Sequence, residues 1–258
     1  MFALWSDLST LTFLSLIVGA FTAGFVDAVA GGGGLIQLPT LLFAFPNAPL
    51  ASVLGSNKAV SIVGTSAAAA TYRTKVQSRG QQLLPIMATA FGGSIVGAAL
   101  ATRVDRAVFE PIIILILICV GIFTLARPEF GTIQRSKKFQ SKWAAPALGL
   151  VIGFYDGLIG PGTGMFLLFG LVAIAGTSFL ESSATAKFVN VATNLAALCI
   201  FVPSGHVLWA VVILMAPLNL LGGYIGARTA LDKGSRFVRA IFVVMLVALI
   251  IRLVLVST

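Results

Sequence analysis

The sequence predicts an all-α polytopic membrane protein made of two inverted repeats, and composition gives the first indication. Of the 258 residues, 58% are hydrophobic and only 10% are charged, and the mean hydropathy is +1.04. One soluble core cannot hide that much apolar surface. The second indication is an internal repeat: Gly24-Phe25-Val26-Asp27 recurs as Gly153-Phe154-Tyr155-Asp156, 129 residues later (156 − 27), and 129 is half of the 258 residues. An ungapped duplication therefore divides the chain into a repeat over residues 1–128 and a repeat over residues 129–258.

Apolar stretches define the predicted helices. In the first half they cover approximately residues 10–30, 35–46, 49–72, 82–102 and 107–126, and in the second half 144–159, 163–176, 179–202, 207–230 and 236–257. No basic region precedes the first stretch, so we expect it to be a retained membrane element rather than a cleaved signal peptide. Because a crossing helix needs about 20 residues, the stretches 35–46 and 163–176 are too short, and each follows a glycine run. Each repeat is thus predicted to have about three full transmembrane helices plus a broken or re-entrant helical hairpin with a Gly-rich loop.

The basic residues between these stretches predict the orientation. The link 127–142 carries five Lys or Arg residues and is expected to be cytoplasmic. Loop 73–79 carries three, whereas its counterpart 203–206 carries none, and segment 228–239 is more basic than its counterpart 103–106. Equivalent loops therefore prefer opposite sides of the membrane, which is the mark of inverted repeats. Both termini are then expected to face the outside.

Two lysines that correspond in the duplication, Lys58 and Lys187, are the first candidate binding residues. A charge near the middle of a membrane costs roughly 2.5 to 3.5 kcal/mol on insertion scales, so it normally faces the protein interior and has a partner or a task. Each lysine shares a helical face with polar residues three and seven positions later. These residues are Ser61 and Thr65 after Lys58, and Asn190 and Asn194 after Lys187. Such a donor-rich lining suits an oxyanion.

The two acidic residues of the repeated motif, Asp27 and Asp156, allow two interpretations. A poorly hydrated carboxylate can exchange protons and couple transport to a proton gradient. Alternatively, the acids are structural: they pair with Lys58 and Lys187 in buried salt bridges or accept hydrogen bonds from the loop backbone. Both interpretations remain open at this point. Asn57 is a further candidate, and because it corresponds to an alanine, any direct role for it would make the two half-sites unequal.

The glycine runs that follow the acids complete the predicted site. Glycine permits backbone conformations in which successive amide N–H groups point into one concavity, and the helix that follows each run presents its positive N-terminus to that concavity. An anion is favoured there without any further cation. The candidate residues are Gly31, Gly32, Gly33, Gly34, Gly160, Gly162, Thr163 and Gly164. Neither run matches a P-loop or a Rossmann fingerprint.

Several other functions are not expected. Cys119 and Cys199 lie in apolar stretches and match no metal or redox pattern, so we expect no metal and no cofactor. The net charge of +9 comes from basic residues in short loops, which indicates orientation in a lipid bilayer and not nucleic-acid binding. Two GxxxG motifs, Gly93 to Gly97 and Gly222 to Gly226, predict faces where two helices approach closely.

The same motifs resemble the signatures of the TauE/SafE sulfite exporter family. The resemblance rests on the run from Ala23 to Leu35, Ser56-Asn57-Lys58, the run from Gly153 to Gly164, and Ala184 to Lys187 followed by Asn190 and Asn194. It extends over essentially the whole chain. It implies a multi-pass permease of the bacterial inner membrane that moves small sulfur oxyanions or organosulfonates, such as sulfite. Its motifs correspond to Asp27, Gly31 to Gly34, Asn57, Lys58, Asp156, Gly160, Pro161, Gly162, Gly164, Lys187, Asn190 and Asn194.

We therefore predict a transporter, not an enzyme, with a midplane anion site that opens alternately to the two sides. Two alternatives were weighed. A membrane-embedded lipid-phosphate hydrolase would need a nucleophile or general base, often with a metal and several acids. A passive anion channel differs from a transporter only in never occluding its ion. The sequence leaves the exact anion, the direction, the coupling ion and the oligomeric state open.

Overall fold

The computed structural model describes residues 9–76, 80–103 and 143–256, and all the regular structure within them is α-helical. The predicted stretch 107–126, the basic link 127–142 and Cys119 lie outside these residues. The helices are α1 (Thr10–Ala30), α2 (Gly34–Ala44), α3 (Leu50–Arg73), α4 (Gly80–Ala101), α5 (Ala144–Leu158), α6 (Thr163–Ala175), α7 (Phe179–Phe201) and α8 (Trp209–Val256). The prediction of an all-α chain is confirmed for the described residues.

The helix boundaries follow the duplication. The helices α2 and α3 begin at Gly34 and Leu50, and α6 and α7 begin at Thr163 and Phe179. Each pair of starts is separated by 129 residues (163 − 34 and 179 − 50). Corresponding sequence thus forms corresponding helices, with α5 in the place of α1.

Two helical hairpins are present where the sequence predicts them. In the first, α1 turns back into α2, and a methyl group placed on Gly19 would lie 3.1 Å from the side chain of Thr40. In the second, α5 turns back into α6, where Gly170 faces Leu148. The returning helices have only 11 and 13 residues, or about 17 and 20 Å. By contrast, α1 has 21 residues, about 32 Å, which is enough to cross the hydrocarbon.

Among the described helices, four are long and apolar enough to cross a membrane: Thr10–Ala30, Leu83–Ala101, Phe179–Phe201 and Trp209–Ile241. Helix α3 has 24 residues, so it is long enough, but Lys58 and several hydroxyl side chains lower its hydropathy. The stretches predicted as 207–230 and 236–257 are not separated by a loop. They meet within α8 at Gly234, whose φ of 72° and ψ of −171° interrupt the helix. The predicted break between the two stretches is confirmed at Gly234, but a single non-helical glycine makes it instead of a loop.

Helices from the two repeats pack together through the GxxxG motifs. A methyl group placed on Gly93 of α4 would lie 2.8 Å from the amide nitrogen of Phe154 in α5. One placed on Gly222 of α8 would lie 2.8 Å from the amide nitrogen of Phe25 in α1. These two contacts correspond in the duplication. Because glycine has no side chain, each pair of backbones can approach this closely, so the predicted packing faces are confirmed.

The equivalent helices α3 and α7 run in opposite directions. Near the start of α3, Gly55 packs against Phe201, which ends α7; a methyl group on Gly55 would lie 3.0 Å from Phe201 Cβ. Near the end of α3, the Tyr72 hydroxyl donates to the Ala28 carbonyl (2.9 Å). Ser183, near the start of α7, donates to the same carbonyl (3.2 Å). The two ends of α3 therefore meet opposite ends of α7.

Two basic segments lie at one face of the molecule. Lys75, just after α3, forms an exposed ion pair with Asp232 in α8, with 3.6 Å between Nζ and Oδ1. Residues 73–76 therefore lie beside segment 228–239, as the charge pattern predicts. Loop 203–206 lies at the other end of α3, where Gly55 meets the backbone of His206. Its lack of Lys and Arg fits a location at the opposite face.

The distribution of polarity is that of a membrane protein. Large apolar side chains face outward, including Leu11, Val18, Phe43 and Ile213. Polar side chains are buried instead: Gln37, Ser52, Ser56, Asn57, Lys58, Thr65, Ser94, Asp156, Thr163, Ser182, Ser183, Lys187, Asn190, Thr193, Asn194 and Asn219. Since lipid tails favour an apolar exterior and buried polar groups need partners, the polar interior is where the candidate site lies.

Candidate functional site

Two buried ion pairs cross between the repeats. Lys58 of the first repeat lies 2.6 Å from Asp156 Oδ1 of the second. Lys187 of the second repeat lies 2.9 Å from Asp27 Oδ2 of the first, and it also donates to the Asp27 carbonyl. The lysines do pair with the acids, as the structural interpretation expected, and each pair joins a long helix of one repeat to the hairpin of the other. Removing one partner of such a pair leaves a buried charge, which is strongly destabilising.

The two glycine loops meet back to back. Gly31 has a φ of 81°, and a methyl group placed there would collide with the backbone of Gly164. A methyl group on Gly34 would lie 3.1 Å from Pro161 Cα. Gly160, with a φ of 95°, leaves space for the ammonium group of Lys58, since a methyl group there would lie 2.8 Å from Lys58 Nζ. The loops thus need glycine both for their backbone conformation and for their mutual contact.

Several backbone amides at these loops have no hydrogen-bond acceptor within the described parts of the chain. They belong to Gly32, Gly33, Gly34, Gly162, Gly164 and Met165. The N-terminus of a helix leaves its first N–H groups unpaired and carries a partial positive charge. Helices α2 and α6 both begin at this junction, so the positive ends of two helices lie where the repeats meet. Such an arrangement favours an anion.

A small cavity of about 30 Å³ lies at this junction. Its walls are Asp27, Gly31, Gly34, Asn57, Lys58, Ser61, Thr65, Asp156, Gly160, Gly162, Thr163, Gly164, Asn190 and Asn194. Each of these residues is among those that the sequence singled out. Three other candidates, Lys187, Gly32 and Gly33, do not line it. A cavity of this volume has space for about two water molecules, so it must widen to hold a polyatomic anion.

A hydrogen-bond relay supports the first-repeat side of the cavity. The Asn219 side-chain amide donates to Gln37 Oε1 (2.9 Å). Gln37 Nε2 in turn donates to Asn57 Oδ1 (2.9 Å), to the Asn57 carbonyl (3.0 Å) and to Ser61 Oγ (3.3 Å). Sequence reasoning did not identify Gln37 or Asn219. The sequence does contain an indication of both residues: they are amides within apolar stretches, and such residues are usually functional or paired.

The relay determines which groups of Asn57 and Ser61 remain available. Because Asn57 Oδ1 accepts from Gln37, the Asn57 amide nitrogen is the group left to face the cavity. Because Ser61 Oγ also accepts from Gln37, its own hydrogen is left to donate. Together with Lys58, these side chains present hydrogen-bond donors to the cavity. The chemistry of this wall suits a ligand that only accepts hydrogen bonds.

The comparison with known proteins decides the family. A sequence model of the family described as Sulfite exporter TauE/SafE matches residues 16–253. The chain belongs to this family. It is 36% identical over 238 residues to the probable membrane transporter protein ORF9 of Sinorhizobium sp, with 92% of this chain and 90% of that protein covered. It is 35% identical over 227 residues to the probable membrane transporter protein YfcA of Escherichia coli strain K12, covering 87% and 83% of the two chains.

A third relative of this TauE/SafE protein is a probable membrane transporter protein of Haemophilus influenzae. It is 32% identical over 225 residues, with 87% of this chain and 88% of the relative covered. No solved structure gives a significant match. Family membership and the apolar helices make the protein a multi-pass membrane transporter with bacterial relatives. The family resemblance inferred from the motifs is thereby confirmed.

On the second-repeat side, the cavity of the TauE/SafE transporter has unpaired acceptors. Asp156 Oδ1 accepts from Lys58 (2.6 Å) and from the Thr163 hydroxyl (2.7 Å). In contrast, Asp156 Oδ2 and Asn190 Oδ1 are buried and have no donor within the described residues. Tyr155 does not line the cavity, and its hydroxyl donates to the Pro161 carbonyl (2.6 Å). Buried acceptors without donors are uncommon, so these two oxygen atoms need an explanation.

The remaining acid of the TauE/SafE transporter, Asp27, has more partners and more exposure. Its Oδ2 accepts from Lys187 (2.9 Å) and from Thr65 (3.2 Å), and its side chain is 19% exposed, compared with 5% for Asp156. The described residues contain no group of three or more His, Cys, Asp or Glu side chains placed to hold a metal ion. The two acids at the cavity thus differ in environment although they correspond in sequence.

Proposed function

We propose that this transporter moves a small sulfur-containing oxyanion, sulfite or an organosulfonate, across the bacterial inner membrane. Transport takes place by alternating access at a midplane site between two inverted repeats. The observation that carries the proposal is the cavity where the two glycine loops meet. It is lined by Lys58, by Gly34, Gly162 and Gly164 with their unpaired amides, and by the donors of Asn57 and Ser61.

The chemistry of the cavity supports an oxyanion more than a halide. A polyatomic anion offers several oxygen atoms in different directions, and the donors here come from three sources: an ammonium group, backbone amides and side-chain amides or hydroxyls. Charge-assisted hydrogen bonds from such donors are stronger than those between neutral groups. The preference for sulfur comes from the family description, Sulfite exporter TauE/SafE.

Two observations support the inverted arrangement. Equivalent helices of inverted repeats must cross the membrane in opposite directions, and the contacts of α3 and α7 indicate opposite directions. The ion pair between Lys75 and Asp232 places two basic segments at one face, in agreement with the positive-inside rule. A site at the interface of the repeats is where transporters of this architecture bind their substrates.

Alternating access is supported by the size and position of the cavity. The present volume of about 30 Å³ is too small for a sulfur oxyanion, so binding requires the two hairpins or the long helices to move apart. Both crossed ion pairs join one repeat to the other. A relative movement of the repeats would therefore change the geometry of these pairs together with the width of the cavity.

Transport of radiolabelled sulfite into proteoliposomes tests the proposal. We expect saturable uptake, with competition from thiosulfate and sulfoacetate stronger than competition from phosphate. The control variant for this assay is Thr229→Val, which should take up sulfite as the wild type does, because this exposed hydroxyl bonds only within its own helix. Uptake that never saturates would support a passive channel instead. Absence of uptake for every sulfur anion would contradict the proposed substrate class.

Cysteine accessibility tests the inverted repeats. In a background with Cys119 and Cys199 replaced, single cysteines are placed at Thr74, after α3, and at Ser204, after α7; both positions are exposed. A membrane-impermeant thiol reagent added to intact cells should label position 204 and not position 74, since the more basic loop remains in the cytoplasm. Labelling of both positions from the same side would indicate a parallel duplication.

A further inference from the structure

Resting on the proposed anion transport, we infer that Asp156, and not Asp27, takes up one proton when the anion binds. The inference assigns the coupling ion and the residue that carries it. It makes the protein a proton–anion symporter in which the second-repeat side of the cavity binds the proton and the first-repeat side binds the anion.

The ionised side chains at the cavity carry no excess positive charge. Lys58 is neutralised by Asp156 and Lys187 by Asp27, so the four groups sum to zero when all are ionised. A monovalent anion brought into this buried position would leave a net charge of −1. Uncompensated charge is costly in a poorly hydrated interior. A proton that enters with the anion restores neutrality.

The positions of the two lysines indicate that Asp156, and not Asp27, is the acid that takes up the proton. Lys58 lines the cavity, and its ammonium group lies against the Gly160 loop. Lys187 has no exposed surface and does not line the cavity; besides the Asp27 carboxylate, it also binds the Asp27 carbonyl. Neutralising Asp156 therefore releases a positive charge at the cavity wall. Neutralising Asp27 would release one that an anion does not reach.

The unpaired oxygen of Asp156 provides a binding site for the proton. Asp156 Oδ2 is buried, lacks a donor within the described residues, and belongs to a carboxylate that lines the cavity. Asn190 Oδ1 is likewise buried and without a donor there, and Asn190 lines the same cavity. A proton on Asp156 Oδ2 turns this oxygen from an acceptor into a donor at the cavity wall.

The proposed step balances as follows. One proton from water binds Asp156 Oδ2, and the negative charge of the carboxylate is lost. The single hydroxyl hydrogen of Thr163 is donated to Asp156 Oδ1 or to the Gly160 carbonyl (2.6 Å), while the Lys58 ammonium group turns its N–H groups toward the anion oxygens. On release the proton returns to water and Lys58 pairs again with Asp156. The other charged or titratable groups near this site are Asp27, Lys187 and Tyr155, and none of them changes its protonation in this step.

Sulfite transport by the full-length protein in proteoliposomes tests the inference. Wild-type protein should accumulate sulfite when a pH gradient is imposed. Asp156→Asn, which resembles the protonated acid, should lose this accumulation even where sulfite–sulfite exchange persists. In the wild type, the apparent affinity for sulfite should change about tenfold per pH unit, as expected for one coupled proton. Asp156→Asn should lose this pH dependence. The protonation of sulfite itself also depends on pH, but it does so equally for every variant. A difference in pH dependence between variants is therefore due to the protein.

Asp232→Asn is the control, because this exposed acid pairs with Lys75 and does not line the cavity. It should retain accumulation driven by the pH gradient. Asp27→Asn combined with Lys187→Met removes the other ion pair completely, and the sulfite transport that remains should still follow the pH gradient, which supports the inference even if Asp156→Asn does not fold. Loss of that dependence in the Asp27 double variant, or its retention in Asp156→Asn, overturns the inference. Wild-type accumulation that ignores the pH gradient also overturns it but leaves the proposed function intact. Absence of any sulfite exchange would instead defeat the proposed function.

Discussion

The two halves of the cavity have corresponding backbones and different polar side chains. In the first half, Asn219, Gln37 and Asn57 form a continuous hydrogen-bond relay. The positions that correspond to them in the duplication are Ala90, Phe166 and Ala186, and these three pack in a single apolar cluster. A polar network on one side of the pseudosymmetric site is thus replaced by hydrophobic packing on the other.

This difference shows what a duplication preserves and what it leaves free to change. The glycine loops, the lysines and the acids are kept in both halves because they form the junction of the repeats. The relay is present only once, and it directs the amide of Asn57 and the hydroxyl of Ser61 toward the cavity. A single anion needs one set of directed donors, so the second half can present acceptors instead.

The largest expected effect concerns the part that the halves share. Gly31→Ala and Gly164→Ala should both prevent accumulation of folded protein in the membrane, since each added methyl group collides with the backbone of the other loop. Gly31→Ala has the additional cost of a positive φ. Gly92→Ala is the control, because nothing lies within 4 Å of its added methyl group. The amount of monodisperse protein after detergent extraction measures the effect. Normal yield for Gly31→Ala would contradict the close contact of the loops.

The two lysines test whether the halves are equivalent in function. Lys58→Met should lower sulfite affinity by about a hundredfold or more, because it removes a charged donor from the cavity wall. Lys187→Met should mainly lower thermal stability, because this lysine is fully buried and holds Asp27. Binding and melting temperature are measured on the same samples. Equal loss of affinity in two stable variants would show that both lysines contact the anion.

The double variant Lys58→Met with Asp156→Asn separates substrate binding from structural pairing. It removes a buried ion pair completely, and such replacement is often neutral for stability. We expect a stable protein that does not bind sulfite, measured by binding to the detergent-solubilised form. Recovery of sulfite binding in the double variant would mean that Lys58 serves only as the counter-ion of Asp156.

The smallest expected effect concerns the relay. Gln37→Leu should weaken sulfite binding by about tenfold, since Asn57 and Ser61 lose the partner that orients them and a buried hydrogen bond is worth about 1 kcal/mol. Asn219→Leu should have a similar effect, and the double variant should be little worse than either single variant because the relay acts as a unit. Additive losses, or none, would show that the relay does not position the donors.

Much of the fold and all of the cavity wall could be predicted from the sequence. The register of the duplication predicted the corresponding helices, and rare polar residues in apolar stretches, together with the glycine runs, identified every residue that lines the cavity. The break at Gly234 lies in the predicted gap between 230 and 236, but its form was not predicted, because hydropathy does not distinguish a loop from a single non-helical residue. Gln37 and Asn219 were also missed, because they have no partner in the duplication and gain their role from each other.

The sequence by itself determined the class of the protein, the two repeats and the set of polar residues available for a site. These features follow from the composition, from the spacing of the repeat and from local motifs, none of which depends on how distant segments pack. Only the tertiary structure decided that each lysine pairs with the acid of the other repeat, that Lys58 faces the cavity while Lys187 does not, and that one oxygen of Asp156 remains unpaired. The physical reason is that interleaving the two halves places residues 98 and 160 positions apart in contact, and no local pattern specifies which of two equivalent partners they meet.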